Sequence, residues 1–336
     1  MAARLALRDH RDIYRGAAGV TLRWPETRVL VTGGAGFVGR HLVASLGRRG
    51  AAEVLAPTRR ECDFMDRGAT RSLLAASRPD LLIHLAATCG GIGANRREPG
   101  RFLFENLMMG LHVIEEARLA GVKKLVVLGT VCAYPKFVPI PFREENLWDG
   151  FPEETNAPYA IAKKALLMQC QAYREQYGIS AIYLLPANLY GPGDNFDLEK
   201  SHVIPALVRK MVEAGEANAP TVKAWGTGKA SREFLYVEDC VEGILAAAER
   251  YDGGEPVNLG TGAEISIRDL ASLIAVLADY DGRILWDADQ PDGQPRRCLD
   301  TSRAKRYFGW EALTPLKEGL AKTIAWYREE RKRGNP

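Results

Sequence analysis

Between Arg28 and Leu185 the apolar and polar positions follow two alternating rhythms. Short runs dominated by aliphatic and β-branched residues occur at Val29–Thr32, Glu53–Ala56, Asp80–Ala86, Lys124–Gly129 and Ala181–Leu185. Runs of this kind predict strands buried on both faces of a parallel sheet. Helical spacing separates them. His41 to Arg49 puts Leu42, Val43 and Leu46 on one face, and Thr70–Ala76, Asn106–Ala120 and Tyr159–Tyr177 follow. The alternation predicts an α/β fold, a doubly wound parallel sheet with helices on both faces. After Pro186 the rhythm loosens. Gly191-Pro192-Gly193-Asp194-Asn195 is loop chemistry, helices are predicted over His202–Ala214 and Val237–Arg250, and Val222–Trp225 reads as a strand. Residues 263–303 mix short elements with a Pro/Gly-rich loop at 291–295.

Composition narrows the class without changing the fold. The 336 residues, 46% hydrophobic and 26% charged, are ordinary globular material, which excludes a disordered tail or a disulfide-stapled mini-protein. A formal net charge of +3 gives no case for a nucleic-acid partner. No apolar run approaches the roughly 20 residues that span a bilayer, and the opening residues contain no stretch of signal-peptide length. The six cysteines are scattered without CxxC spacing, which predicts reduced thiols in a cytoplasmic protein and no metal site.

Chemistry concentrates in four places. Gly33, Gly36 and Gly39 form a GxxGxxG turn between the first strand and the first helix, whose N-terminal N–H groups are expected to meet phosphate, with Phe37, Val38 and Gly39 as cofactor-binding candidates. That arrangement suits a dinucleotide pyrophosphate. The second strand ends in Ala56-Pro57-Thr58-Arg59-Arg60 with no carboxylate for a ribose 2′-hydroxyl, so NADP is expected rather than NAD. Arg59 is the candidate for the 2′-phosphate, and Asp63 for an adenine contact. Tyr159 and Lys163, four apart, share a helix face with Asn156 as N-cap and Pro158 in the first turn. A lysine cation there, helped by a nearby nicotinamide positive charge, is expected to favour the phenolate and make Tyr159 a general acid/base. Thr130 ends a strand at the side of a parallel sheet where ligands bind, with Cys132 two residues on. The layout is an extension over 1–26, a Rossmann-type domain over 27–186, and a smaller α/β domain over 187–336 with some chain crossing back.

These features resemble the extended short-chain dehydrogenase/reductases that act on nucleotide sugars. Seven segments narrow the match: GGIGANRREP (90–99), LGTVCAYPK (128–136), EETNAPYAIAK (153–163), NLYGPGDNF (188–196), SHVIPALVRK (201–210), WGTGKASREFLYVED (225–239) and PDGQPRRCLD (291–300). In that order they resemble the GDP-L-fucose synthase family of NADPH-dependent 3,5-epimerase/4-reductases, over about residues 28 to 330. The resemblance implies that Tyr159 and Lys163 are the reductase pair, with Lys163 also holding cofactor, and that Thr130 stands where the family usually has Ser. It implies that Cys132 removes a proton beside the 4-keto group and His202 returns one. Asn188, Val203, Arg209, Lys210, Trp225, Arg232 and Arg297 would then hold the GDP-linked sugar, with the two last on phosphate or sugar oxygens. A homodimer through the helices near 102–120 and 159–177 is also implied. Val131, where the family usually has Ser, and Cys89 before the glycine pair depart from the pattern. GTVCAYPKF and the Gly-Gly at 90–91 also resemble GDP-mannose 3,5-epimerase, so an epimerase without net redox is the alternative. A non-catalytic NADP sensor on the same fold would predict a lost Tyr or Lys, and both are present.

Overall fold

The computed structural model describes residues 22–334. Most of the extension therefore lies outside the described residues; of its last part, Leu22 and Trp24 pack against the main core, and the Trp24 indole donates to Glu249 at 2.7 Å. The first half runs β1 (Arg28–Thr32), α1 (Phe37–Arg48), β2 (Glu53–Leu55), α2 (Arg67–Ser77), β3 (Leu81–His84), α3 (Ile92–Arg97), α4 (Pro99–Leu119), β4 (Lys124–Leu128), α5 (Ala157–Tyr177) and β5 (Ser180–Pro186). The second runs β6 (Asn188–Tyr190), α6 (Val203–Glu216), β7 (Thr221–Trp225), β8 (Ser231–Tyr236), α7 (Val237–Arg250), β9 (Val257–Leu259), β10 (Glu264–Ser266), α8 (Ile267–Leu277), β11 (Arg283–Asp287), α9 (Ser302–Phe308) and α10 (Leu316–Lys332).

Six strands form the main sheet in the order β2-β1-β3-β4-β5-β9, every pairing parallel. β3, β4 and β5 are buried along their whole length, as their unbroken apolar runs require. Strand order reverses around β1, so a crevice opens beyond the carboxyl ends of β1 and β3, the place where such sheets take ligands. α2 starts three residues before its apolar face because Asp66 caps it, its carboxylate accepting from Gly68 and Ala69. α4 is longer than predicted and begins at Pro99, whose missing N–H costs nothing in a first turn.

The second lobe has its own core. α6, α8 and α10 pack around a three-stranded sheet, β10-β8-β6, and a parallel pair, β11-β7. The chain does not stay there. After β8, α7 returns to pack on α1, β4 and β5, and β9 adds the last strand to the main sheet.

Candidate active site

The glycine turn is built by close approach. Gly33 has φ +72°, and a Cβ there would lie 2.7 Å from the Ala86 nitrogen. A Cβ on Gly39 would run into the Gly33 carbonyl and come 2.6 Å from the Gly34 Cα. Gly36 is the N-cap of α1, and no side chain caps the first N–H groups. They remain for a ligand, and a dinucleotide pyrophosphate fits this cradle.

One cavity of about 390 Å³ runs from this turn across the sheet ends to the start of α6. Gly33, Gly36, Phe37, Val38 and Gly39 line one end. Thr130, Cys132, Tyr159, Lys163, Asn188 and His202 line the rest, although they come from four separate segments. Thr130 closes β4, and its hydroxyl accepts from the Cys132 N–H at 3.2 Å, which fixes the short turn Val131–Ala133. Tyr134 anchors that turn from below, donating to Asn258 Oδ1 at 2.6 Å. α5 starts at Ala157 behind Asn156, as the sequence indicates, but the Asn156 amide donates to Glu153 at 2.8 Å instead of capping the helix.

The electrostatics of the Tyr159/Lys163 pair are set mainly by burial. The Tyr159 phenol is held well above its ordinary value, first by burial and then by the Cys89 and Cys132 sulfurs. Lys163 does not offset this. Burial lowers its own ammonium, which donates to the Leu128 carbonyl at 3.0 Å and sits 5.9 Å from the Tyr159 ring centre. Tyr159 is therefore a proton-bearing acid in this structure, not a phenolate. Enclosure in the cleft, and then the Arg297 charge, push the His202 imidazole down. His84, at the end of β3, is pushed down to about 3 by burial and then by Lys163, and its Nδ1 meets the Thr32 hydroxyl at 2.8 Å.

The remaining candidates sit around this cavity without lining it. Arg59 is largely exposed and pairs loosely with Asp63 at 3.5 Å, beyond the end of β2. Val203 opens α6 next to His202. Arg209 donates to the Phe196 carbonyl at 3.2 Å and pairs with Glu213, while Lys210 donates to the Lys223 carbonyl at 2.9 Å. Trp225 is exposed at the end of β7 with its ring edge over Gly93 of α3. Arg232 is buried and donates to the Ser231 and Asp292 carbonyls at 2.7 and 2.8 Å. Arg297 is buried beside the cavity, with Nη1 3.4 Å from the Cys132 sulfur.

The sequence pattern of the NAD dependent epimerase/dehydratase family matches residues 29–260. The chain belongs to that family. Within it, the chain is 40% identical over 315 residues to the GDP-L-fucose synthase of Escherichia coli K12, covering 91% of this chain and 98% of that one. It is 42% identical over 300 residues to GDP-L-fucose synthase 1 of Arabidopsis thaliana, covering 89% and 93%. Among solved structures, a GDP-L-fucose synthetase from Naegleria fowleri bound to NADP superposes with a TM-score of 0.83 at 27% identity, covering 94% of this chain and 98% of that one. A GDP-6-OMe-4-keto-L-xylo-heptose reductase from Campylobacter jejuni superposes with a TM-score of 0.88 at 27% identity, covering 93% and 100%.

Other residues of this epimerase/dehydratase family member line the cavity without having been singled out for a role. Cys89 lies with its sulfur 3.6 Å from the Tyr159 hydroxyl, and Asn156, Asp194 and Ser201 also face the cavity. Asn156, Asp194 and Ser201 lie inside segments that the resemblance rests on, but a segment match does not say which side chain turns inward; Cys89 lies just before one and departs from the pattern.

Proposed function

We propose that this protein is an NADP(H)-dependent 3,5-epimerase/4-reductase of a GDP-4-keto-6-deoxy sugar. What supports it most is one cavity that holds two proton-transfer sets, Cys132 with His202 and Tyr159 with Lys163. The uncapped glycine cradle suits the cofactor's pyrophosphate, and Arg59, most of it in solvent, is free to meet a 2′-phosphate. When bound, the cofactor supplies the hydride that reduces C4.

The chain's own groups move the protons. A ketone at C4 acidifies the hydrogens at C3 and C5, and inverting those centres needs a base on one face and an acid on the other. Cys132 enters from the turn after β4 and His202 from the start of α6, so they approach from different walls. The Cys132 sulfur takes the carbon-bound proton, the electron pair passes to the C4 oxygen as an enolate, and His202 delivers a proton to the carbon. Tyr159, held protonated by burial, gives its proton to the C4 oxygen during reduction. Lys163 fixes the position of Tyr159's helix turn through Leu128, and Thr130 offers a second hydroxyl to the same oxygen. Asn188 reaches the sugar, while Val203, Arg209, Lys210, Trp225 and Arg232 serve the nucleotide end in the second lobe. His202 must be protonated to act, and its imidazole is depressed, so the share of His202 in the acid form falls as pH rises while the Tyr159 proton persists.

The working unit is a homodimer joined through α4 and α5, which leave Phe104, Ile161 and Met168 exposed. Its compartment is the cytoplasm, in keeping with six free cysteines and with the absence, among the described residues, of any helix long and apolar enough to cross a membrane.

The test is incubation with GDP-4-keto-6-deoxy-mannose and NADPH in D₂O. Wild type should oxidise NADPH and return a 6-deoxy sugar carrying deuterium at C3 and C5. Cys132→Ser should exchange little deuterium, since an alcohol scarcely ionises at neutral pH. Tyr159→Phe should lose roughly 10²–10⁴-fold in reduction and keep NADPH binding. Deuterium at both carbons without NADPH oxidation would assign an epimerase without net redox. Oxidation without deuterium would assign a plain 4-reductase.

A further inference from the structure

Residues 292–297 form a strap laced between the two lobes. The Ser231 N–H donates to the Pro295 carbonyl at 2.9 Å and the Arg297 N–H to the Ser231 carbonyl at 3.2 Å, tying the strap to β8. Asp292 accepts from the Thr227 N–H at 2.8 Å and from its hydroxyl at 2.6 Å. Inside the strap lies Gln294, only 1% exposed. Its amide NH₂ donates to the Pro135 and Lys136 carbonyls, both at 3.1 Å, and its amide oxygen accepts from Arg297 Nε at 2.9 Å. Arg297 Nη1 in turn lies 3.4 Å from the Cys132 sulfur. Gln294 therefore joins the segment just after Cys132 to the guanidinium that faces Cys132.

We propose that Gln294 is a positioning residue for the acid–base pair: it holds the Arg297 guanidinium against the Cys132 sulfur, so that a fixed cation faces the atom that takes the proton. This rests on the assignment of Cys132 as the base. It gives Arg297 a task besides holding substrate oxygens. A guanidinium has five N–H donors in a rigid plane, so fixing Nε fixes where Nη1 aims. A cation beside a sulfur favours the thiolate, which is the form that abstracts a proton. Gln294 has the right chemistry at both ends. A carboxylate there would lose the two donors to Pro135 and Lys136 and would partly neutralise Arg297. An aliphatic side chain would leave Arg297 Nε and two carbonyls without this partner.

The charged and titratable groups around Cys132 agree with the assignment. Arg297 faces it from the strap and Arg232 from β8. Tyr159 faces it from α5, with Cys89 beyond, and His202 stands at the start of α6 on the same cavity. Asp292 and Glu153 act on Arg232. Arg297 also presses on His202, so the one guanidinium bears on both members of the pair.

The deciding measurement needs no sugar. Alkylation of Cys132 by iodoacetamide, read by peptide mapping to separate it from Cys89, is followed against pH in the full-length chain. Gln294→Leu should slow the neutral-pH reaction several-fold, roughly the loss expected when a fixed cation no longer faces the reacting sulfur. Arg297→Gln, which keeps hydrogen-bond donors and drops the charge, should slow it at least as much and gives the same information should Gln294→Leu fail to fold. Affinity for NADPH should be unchanged in Gln294→Leu, because the glycine cradle lies at the other end of the cavity. Superimposable alkylation profiles for both variants and wild type would overturn the proposal, as would a loss of NADPH affinity with no change in alkylation. Absence of epimerase activity in wild type would count against the function and leave the alkylation result standing.

Discussion

Asp194 lines the cleft with a carboxylate whose surroundings oppose its charge. Oδ1 accepts from the Asn195 N–H at 2.7 Å, but Oδ2 is buried without a hydrogen-bond partner among the described residues. Burial raises its pKa from the ordinary 3.8 to about 7, with the Asn195 N–H offsetting part of the rise. Between those values the folded chain keeps a proton that the unfolded chain has lost. Folding stability from this group is then full below about pH 4 and falls as pH rises toward 7. Asp194→Asn removes the charge and the dependence. In the ligand-free protein, the difference in Tm between variant and wild type should widen in the variant's favour from about pH 4 to pH 7. A constant difference would mean that the carboxylate ionises there as it does in water. This behaviour was not legible in PGDNF, where Asp194 reads as a turn residue. Tyr159 shows the same limit. Its spacing from Lys163 and its place on a helix were legible, whereas its protonation was set first by burial and then by Cys89, seventy positions away.

The first helix carries two glycines with opposite demands. At Gly39 a Cβ would meet the backbone of Gly33 and Gly34, which cannot swing aside as a side chain does. At Gly47 nothing lies within 4 Å. Gly39→Ala should cost about 1–3 kcal/mol by overpacking. It should also weaken NADPH binding, because the displaced turn is the cradle. Gly47→Ala should instead gain about 0.5–1 kcal/mol from helix propensity. Thermal denaturation and fluorescence titration with NADPH check both, and equal behaviour of the two variants would refute the close packing. Elements with strong local pattern, β1, β3 to β5, α5 and α7, lay close to where their sequences predicted. β6, β8 and β9 were not distinguished, since three to six residues in a lobe of short strands carry no period of their own. Gln294 was hidden for a related reason. Its strap has only loop composition, and its partners lie more than 150 positions upstream.

Across the whole molecule, the exposed apolar positions lie unevenly. Phe104 on α4 and Ile161 and Met168 on α5 are 59%, 39% and 48% exposed, on two helices that pack side by side. Ile161→Arg combined with Met168→Glu should convert a dimer to a monomer in sedimentation velocity while leaving the far-ultraviolet circular dichroism unchanged. A wild-type monomer would remove the assembly proposed above. The broad architecture was legible because a parallel sheet needs buried apolar strands, but the return of the chain to that sheet was only a general expectation. β9 gives the return a consequence in time. The outer edge of β5 is covered by β9, about seventy residues later in the chain. During synthesis at roughly 5–20 residues per second, that edge stands bare for several seconds after β5 has emerged. An uncovered edge of an apolar parallel strand is a template for pairing with another chain. The nascent protein is thus most vulnerable to aggregation while the ribosome is translating the second lobe, and whatever slows elongation between β5 and β9 lengthens that exposure.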